Sequence, residues 1–287
     1  MEKIALADGR TLEYLTEGPD DARPLIFHHG TPAGGVVYRP LADAAIRHGL
    51  RLVMPNRPGY CGSTSKPGRR VADIAADVAA LLDALGADDF VTVGWSGGGP
   101  HALACAALLP DRCRAAATIA GVAPFGAPGL DWLAGMGDDN LAEFGAAFRG
   151  TAPLDEFLTD AATGLIDVRP HDVITAFGDL LSDVDQSALR SGMADYLAAA
   201  SRTAVAQGIA GWREDDLAFV SDWGFPLDTL RVPVAIWQGD QDRMVPFGHG
   251  RWLSTHVTGA TTHLLPGEGH LSLLTKADAI IAPLATA

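Results

Sequence analysis

The chain has 287 residues, 48% of them hydrophobic and 20% charged, with 33 Gly and 18 Pro spread throughout. That excludes extended disorder and fits one large globular core with room for an insertion. The net charge of −14 excludes direct nucleic-acid binding, which needs clustered Lys and Arg, and no apolar run approaches the length of a membrane span.

Residues 3–17 alternate loosely around Ala7-Asp8-Gly9 and predict a hairpin. Leu25 to His28 is a short apolar strand ending in His29-Gly30-Thr31-Pro32, Leu41 to His48 is helical, and Leu52 to Pro55 is a strand ending in Asn56-Arg57-Pro58-Gly59. Helical spacing from Val71 to Leu85 stops at Gly86. Phe90 to Trp95 reads as a strand, Pro100 to Leu109 as a helix and Ala115 to Ala120 as a strand. Later come a strand at Pro233 to Gln238, a helix at Arg251 to His256, a strand at Thr261 to Leu265 and a helix at Leu271 to Ile280. Such alternation predicts an α/β fold with a mostly parallel sheet, whose chemistry sits at the carboxyl ends of the strands.

Residues 126–228 differ from the rest. They hold 18 Asp and Glu against 5 Arg and no Lys, a net of −13 that leaves −1 elsewhere, and 10 of the 20 aromatic residues. They read as helices without a strand, so a helical cap is expected over the strand ends. Three parts follow: core at 1–125, cap at 126–228, core at 229–287. The cap's charge predicts a negative potential at the cleft mouth that disfavours anionic substrates.

Gly94-Trp95-Ser96-Gly97-Gly98 is a G-x-S-x-G sequence directly between a strand and a helix, the pattern of an exposed serine nucleophile on a sharp turn. Gly97, Gly99 and Ala102 also satisfy G-x-G-x-x-A, but at the fifth strand and with no carboxylate ending the next one, so the dinucleotide reading is set aside. No phosphate-binding loop of the G-x-x-x-x-G-K type occurs.

A serine hydroxyl needs a base. His270, in Gly267-Glu268-Gly269-His270 after the last strand, is the candidate. His101 lies inside a helix, and His48, His171, His249, His256 and His263 lack a motif and read as surface or structural. Asp242, in Gly239-Asp240-Gln241-Asp242, is preferred over Asp240 as the acid that orients His270, because Asp240 stands closer to the strand and serves the turn. The backbone N–H groups of Gly97 and Thr31 are the expected oxyanion donors, Pro32 having none. Gly30 and Trp95, beside these motifs, are assigned to the substrate pocket. So are Trp132 and Trp223, at the two ends of the insertion.

These motifs (HHGTP, NRPGYCGST, GWSGGGP, GDQDRMVP and GEGH, spanning residues 28–270) resemble those of the α/β-hydrolase superfamily. The resemblance implies about eight strands, a cap between the sixth and seventh, and no metal or organic cofactor. It also supports Asp242, since Gly239, Asp242, Val245 and Pro246 fit the family's G-x-x-D-x-x-V-P pattern. Two places depart from it: the loop after Pro55, where Asn56 replaces the usual Asp and Cys61 precedes Gly62, and the position after the nucleophile, where Gly97 replaces a larger residue and is expected to admit a wider acyl group. Ser96 argues against the epoxide hydrolase and dehalogenase branches, which generally use an aspartate there. The expected function is a carboxylesterase or lactonase acting on a small, neutral, largely apolar ester, with a C–C bond hydrolase or a non-catalytic small-molecule binder as alternatives. Cys61, Cys105 and Cys113 read as reduced thiols, and the first ten residues lack a secretory apolar stretch, so a cytoplasmic protein is expected. Nothing in the sequence indicates an oligomeric state.

Overall fold

The computed structural model describes all 287 residues. Eight strands form one sheet: β1 (Glu2–Ala5), β2 (Thr11–Glu17), β3 (Arg23–His28), β4 (Leu50–Pro55), β5 (Phe90–Trp95), β6 (Cys113–Ile119), β7 (Val234–Gly239) and β8 (Thr261–Leu265). Their spatial order is β1-β2-β4-β3-β5-β6-β7-β8. Strand β2 runs antiparallel to β1 and β4, and every pairing from β4 through β8 is parallel.

The parallel strands read as continuous apolar runs because both faces are covered. Within each run the side chains still alternate. Ile26, Val53 and Phe90 pack into one core cluster, and Leu25, Phe27, Leu52, Met54, Val91 and Val93 into the other. Helices α1 (Arg39–Arg47) and α11 (Ala277–Ala285) serve the second cluster, and α2 (Ile74–Leu85), α3 (Gly99–Leu108) and α10 (Phe247–His256) the first. Gly86 ends α2 at φ 66°, a left-handed cap for which glycine is suited.

Between β6 and β7 the chain forms α4 (Asp138–Arg149), α5 (Thr151–Leu165), α6 (Val173–Phe177), α7 (Asp183–Ala188), α8 (Ala194–Val205) and α9 (Ala210–Phe219), with no strand. None of the helices is long and apolar enough to cross a membrane.

The predicted helix over 271–280 is divided. A 3₁₀ turn covers Ser272–Lys276, and α11 begins only at Ala277. The cause lies outside the segment: the N–H groups of Leu271 and Ser272 are bound by the Asp185 carboxylate of α7, which fixes this stretch separately from α11.

The chain order around β3 positions the site. From β3 the chain moves outward to β4, then returns across β3 to β5. The loops leaving β3 and β5 therefore diverge and leave a crevice at the carboxyl ends of these two neighbouring strands.

Candidate active site

Ser96 follows β5 directly, in a one-turn 3₁₀ segment (Ser96–Gly98) that leads into α3. Its φ is 55°, in the left-handed region that costs a non-glycine residue roughly 1–2 kcal/mol. The flanking glycines are steric necessities. A Cβ on Gly94 would run into the carbonyl of Gly98, and one on Gly98 into the carbonyl of His28. The turn is thus too tight for any other residue at either place.

Gly97 has a different role from the expected one. A Cβ there would collide with Thr31 Oγ1 and come within 2.8 Å of Phe219 Cζ, so the space is already filled by the β3 loop and by α9. Its smallness lets Thr31 and Phe219 close over the elbow and adds no room for an acyl group. Thr31, Gly97 and Ser96 line the same cavity, as donors serving an oxyanion beside the serine must.

The candidate acid Asp242 and candidate base His270 stand at the ends of β7 and β8. Asp242 is held by four donors. Oδ1 accepts from the N–H groups of Met244 (2.9 Å) and Val245 (2.8 Å), and Oδ2 from Gln238 Nε2 (3.0 Å) and His270 Nδ1 (2.9 Å). The family pattern around it thus has a physical basis. The turn offers two N–H groups to the carboxylate, and Gly239 is needed because a Cβ would strike the Glu268 carbonyl of the loop bearing His270. Asp240, by contrast, is exposed and accepts from Gly267 N–H (2.8 Å), bracing the same loop from outside.

His270 is buried. Burial alone would lower its pKa, but the Asp242 carboxylate outweighs that and raises it above the usual histidine value, with Asp185 adding in the same direction. With Nδ1–H committed to Asp242, Nε2 is the basic nitrogen. The imidazole packs against Trp95, ring centroids 5.4 Å apart, and Trp95 Nε1 donates to the His270 carbonyl (3.3 Å).

Trp95 therefore supports His270 and does not line the pocket. Strand alternation turns it to the opposite sheet face from the cavity, into the cluster with α1 and α11. Gly30 is likewise not in the cavity wall. It sits behind the elbow, where a Cβ would come within 3.1 Å of the Trp95 ring.

The cavity above Ser96 measures about 330 Å³. Sixteen of its 22 lining residues come from the segment between β6 and β7, so that segment is its principal wall. Neither Trp132 nor Trp223 is among them, and the tryptophan that does line it is Trp212 on α9. Trp132 packs downward against Phe144 and His249 and donates to the Ala123 carbonyl (2.7 Å). Trp223 packs on Phe225, and its carbonyl accepts from Ala72 N–H. Both tryptophans fasten the ends of the insertion to the core. His249, without a motif, is structural: it joins Ala123 N–H (3.0 Å) to the Trp132 carbonyl (2.8 Å).

Three features of the site have no local signature in the sequence. Asp185, fully buried on α7, accepts from the N–H groups of His270 (3.1 Å), Leu271 (2.7 Å) and Ser272 (3.0 Å) and from Ser182 Oγ (2.7 Å). It is the main-chain anchor of the histidine loop.

Arg57, also fully buried, donates to the carbonyls of His29 and Gly30 (2.9 Å), to Thr31 Oγ1 (2.9 Å) and bidentately to Asp215 of α9. Burial alone would raise the Asp215 pKa, but Arg57 and Arg69 hold its carboxyl well below the ordinary carboxylate range. This cluster braces the Thr31 loop against α9. Third, Glu143 and Asp216 place two carboxyl groups in the cavity wall.

The departures at Asn56 and Cys61 are structural. Asn56 Oδ1 accepts from Gly35 N–H (2.8 Å) and its Nδ2 donates to Glu13 (3.3 Å). Cys61 is a buried free thiol at φ 51°, pushed up to about 12 by burial, with Glu13 adding to the shift. No group of three His, Cys, Asp or Glu side chains is arranged to hold a metal ion.

A family model for the alpha/beta hydrolase fold matches residues 23–277. A non-heme chloroperoxidase of Streptomyces lividans is 28% identical to this chain, covering 98% of it and 96% of its own length. A pimeloyl-[acyl-carrier protein] methyl ester esterase of Aromatoleum aromaticum is 29% identical, covering 88% of this chain and 93% of its own. Among solved structures, an alpha/beta hydrolase fold protein from Nakamurella multipartita superposes with a TM-score of 0.64 at 25% identity, covering 100% of this chain and 99% of that one. The enol-lactonase from Burkholderia xenovorans LB400 superposes with a TM-score of 0.68 at 19% identity over the whole of both chains, a likeness of fold.

Proposed function

The chain belongs to the α/β-hydrolase fold family, and from that premise we propose that it is a carboxylic ester hydrolase acting on a small ester or lactone without negative charge. Ser96 is the nucleophile, His270 the general base and Asp242 its orienting acid. The observation that carries the reading is the Asp242–His270 pair. The carboxylate is immobilised by four donors and fixes the imidazole tautomer, while Ser96 is held in a left-handed conformation at the end of β5.

In this scheme His270 Nε2 takes the Ser96 proton as Oγ attacks the ester carbonyl. The N–H groups of Gly97 and Thr31 receive the oxyanion, aided by the positive end of α3. The C–O bond to the alcohol then breaks, and His270 returns the proton to the departing oxygen. Water, deprotonated by His270, attacks the Ser96 ester; the bond from the acyl carbon to Oγ breaks, His270 returns the proton to Oγ, and the acid is released. Residues 126–228 act as the lid, forming most of the cavity wall opposite the serine.

A series of p-nitrophenyl esters of rising chain length, assayed beside Ser96→Ala, tests this. The substitution removes the atom that carries the acyl group, so kcat should fall by about 10³ or more while the fold is retained. Activity within about tenfold of wild type would overturn the assignment of Ser96.

A further inference from the structure

The helix α9 carries three consecutive acids, Glu214, Asp215 and Asp216, and all three are buried. Two are satisfied. Asp215 is paired with Arg57 and Arg69, and Glu214 accepts from Ser65 Oγ and the Lys66 N–H. Asp216 is not. It is 1% exposed, lines the cavity, and neither of its oxygens accepts a hydrogen bond from any donor in the protein. Its neighbour in the wall is the carboxyl of Glu143 on α4, whose Oε1 accepts from Trp212 Nε1 (2.7 Å).

A buried carboxyl without a donor is costly, and a second carboxyl beside it makes the cost larger. Burial raises the pKa of both groups; the charge of Glu143 and a hydrogen bond shared with it raise Asp216 further, while that bond and the one from Trp212 act downward on Glu143. Asp215 adds to the rise of Asp216, Arg69 opposes it, and Asp139 on α4 acts upward on Glu143. The pair therefore shares one proton, donated by Asp216 to Glu143, and keeps one negative charge, while the oxygens of Asp216 accept from no donor in the protein.

The rest of the cavity indicates which donor. Asp139 and Asp160 also line it, and no Lys, Arg or His does. Its apolar wall includes the rings of Phe144, Phe157, Phe177, Trp212 and Phe219. Carboxylates set among aromatic faces suit an ammonium group on an apolar stem, which gains both charge-assisted hydrogen bonds and cation–π contact. A hydroxyl would supply a donor but leave the negative charge uncompensated.

We propose that the cavity takes a substrate whose non-reacting arm ends in a protonated amine, docked between Glu143 and Asp216 while its ester carbonyl lies at Ser96. This rests on the ester hydrolase reading for the carbonyl, whereas the amine subsite stands on the cavity itself. It narrows the substrate class from esters without negative charge to aminoacyl or aminoalkyl ones.

The test compares methyl 6-(dimethylamino)hexanoate, cationic near neutral pH, with its carbon isostere methyl 7-methyloctanoate, by acid release. Wild-type kcat/KM should favour the amine by about tenfold or more, and the ratio should fall by about tenfold or more in Asp216→Asn and in Glu143→Gln. Because only the ratio within each folded variant is read, a change in overall activity does not disguise the result, and the second variant serves if the first fails to fold. A wild-type ratio near or below one, or a ratio unmoved by either variant, would overturn the proposal.

If no ester is turned over, the hydrolase reading fails and the subsite is read separately, by titrating hexyldimethylamine against tryptophan fluorescence. Trp212 reports directly on Glu143, with Trp212→Phe as the control for its signal. A saturable change that weakens by about tenfold or more in Asp216→Asn supports the subsite, and no saturable change overturns it.

Discussion

Asp185→Asn is a test of the idea that the helical segment holds the histidine loop in place. The carboxylate serves three main-chain N–H groups and one hydroxyl. Asparagine keeps one oxygen, which can retain the two bonds at Oδ1, to Leu271 and Ser272, without their charge assistance. Hydrogen bonds to charged groups are worth about 1.5–3 kcal/mol and neutral ones about 0.5–1.5, so each retained bond loses about 1 kcal/mol. The amide nitrogen then faces the N–H of His270, donor against donor, and that buried N–H loses its partner at about 1–3 kcal/mol. The hydroxyl of Ser182 can turn and accept instead.

The total is about 3–5 kcal/mol. With an unfolding entropy of about 0.6 kcal/mol/K for a chain of this length, Tm should drop by about 5–8 °C. A functional readout separates anchoring from simple destabilisation. Asp185 helps to raise the His270 pKa. The base acts in its neutral form, so activity falls as the pH drops through that raised value. Without the Asp185 charge, the acid limb of kcat/KM should move to lower pH. Thermal unfolding and a pH profile at a temperature where the variant is folded measure both effects. A Tm within about 1 °C of wild type together with an unmoved acid limb would refute the reasoning.

Asp242→Asn should lower kcat by about 10⁴ by removing the partner that fixes the tautomer, whereas Asp240→Asn should cost no more than about tenfold. The reverse order in steady-state assays would exchange the two roles. Asp215→Asn leaves Arg57 buried without its counter-charge and Arg69 with only Glu214 at 3.6 Å, and should destabilise the fold by about 3–5 kcal/mol in chemical denaturation; a loss under about 1 kcal/mol would show that water reaches the cluster. Trp132→Ala should cost about 3–5 kcal/mol of stability and leave the ester chain-length preference unchanged. Trp212→Ala should shift that preference toward longer esters, and the opposite pattern would return Trp132 to the pocket.

Most of the sheet is legible in the sequence because a parallel strand covered on both faces must be continuously apolar, as Phe90–Trp95 and Val234–Gly239 are. The elbow and the acid turn are legible for a similar reason, since backbone collisions at Gly94, Gly98 and Gly239 force a local pattern. Trp132 and Trp223 lie outside the cavity because nearness along the chain to the ends of the insertion is not nearness to the cavity. Where the chain leaves the sheet Trp132 and Trp223 pack into the core, and the cavity is lined from α4, α5, α6 and α9 further along the segment. Asp185 and the Arg57–Asp215 pair left no signal, because their partners lie 85 and 158 residues away and a single buried acid on a helix looks like any solvated one. The acidity of residues 126–228 was legible as a total, but its direction was not: Asp139, Glu143, Asp160 and Asp216 face the cavity and the remaining acids do not line it.

The bonds from Asp185 to the loop of His270, and from Asp215 to Arg57 behind the loop of Thr31, bear on how this protein can be re-engineered. The segment between β6 and β7 is not an exchangeable module that only selects substrates. A chimera carrying a foreign segment inherits a core whose Arg57 and Arg69 have lost their counter-charge and whose histidine loop has lost its anchor. Transplanting specificity therefore requires moving acids equivalent to Asp185 and Asp215 with the graft, or rewriting residues 57, 69 and 270–272 to do without them.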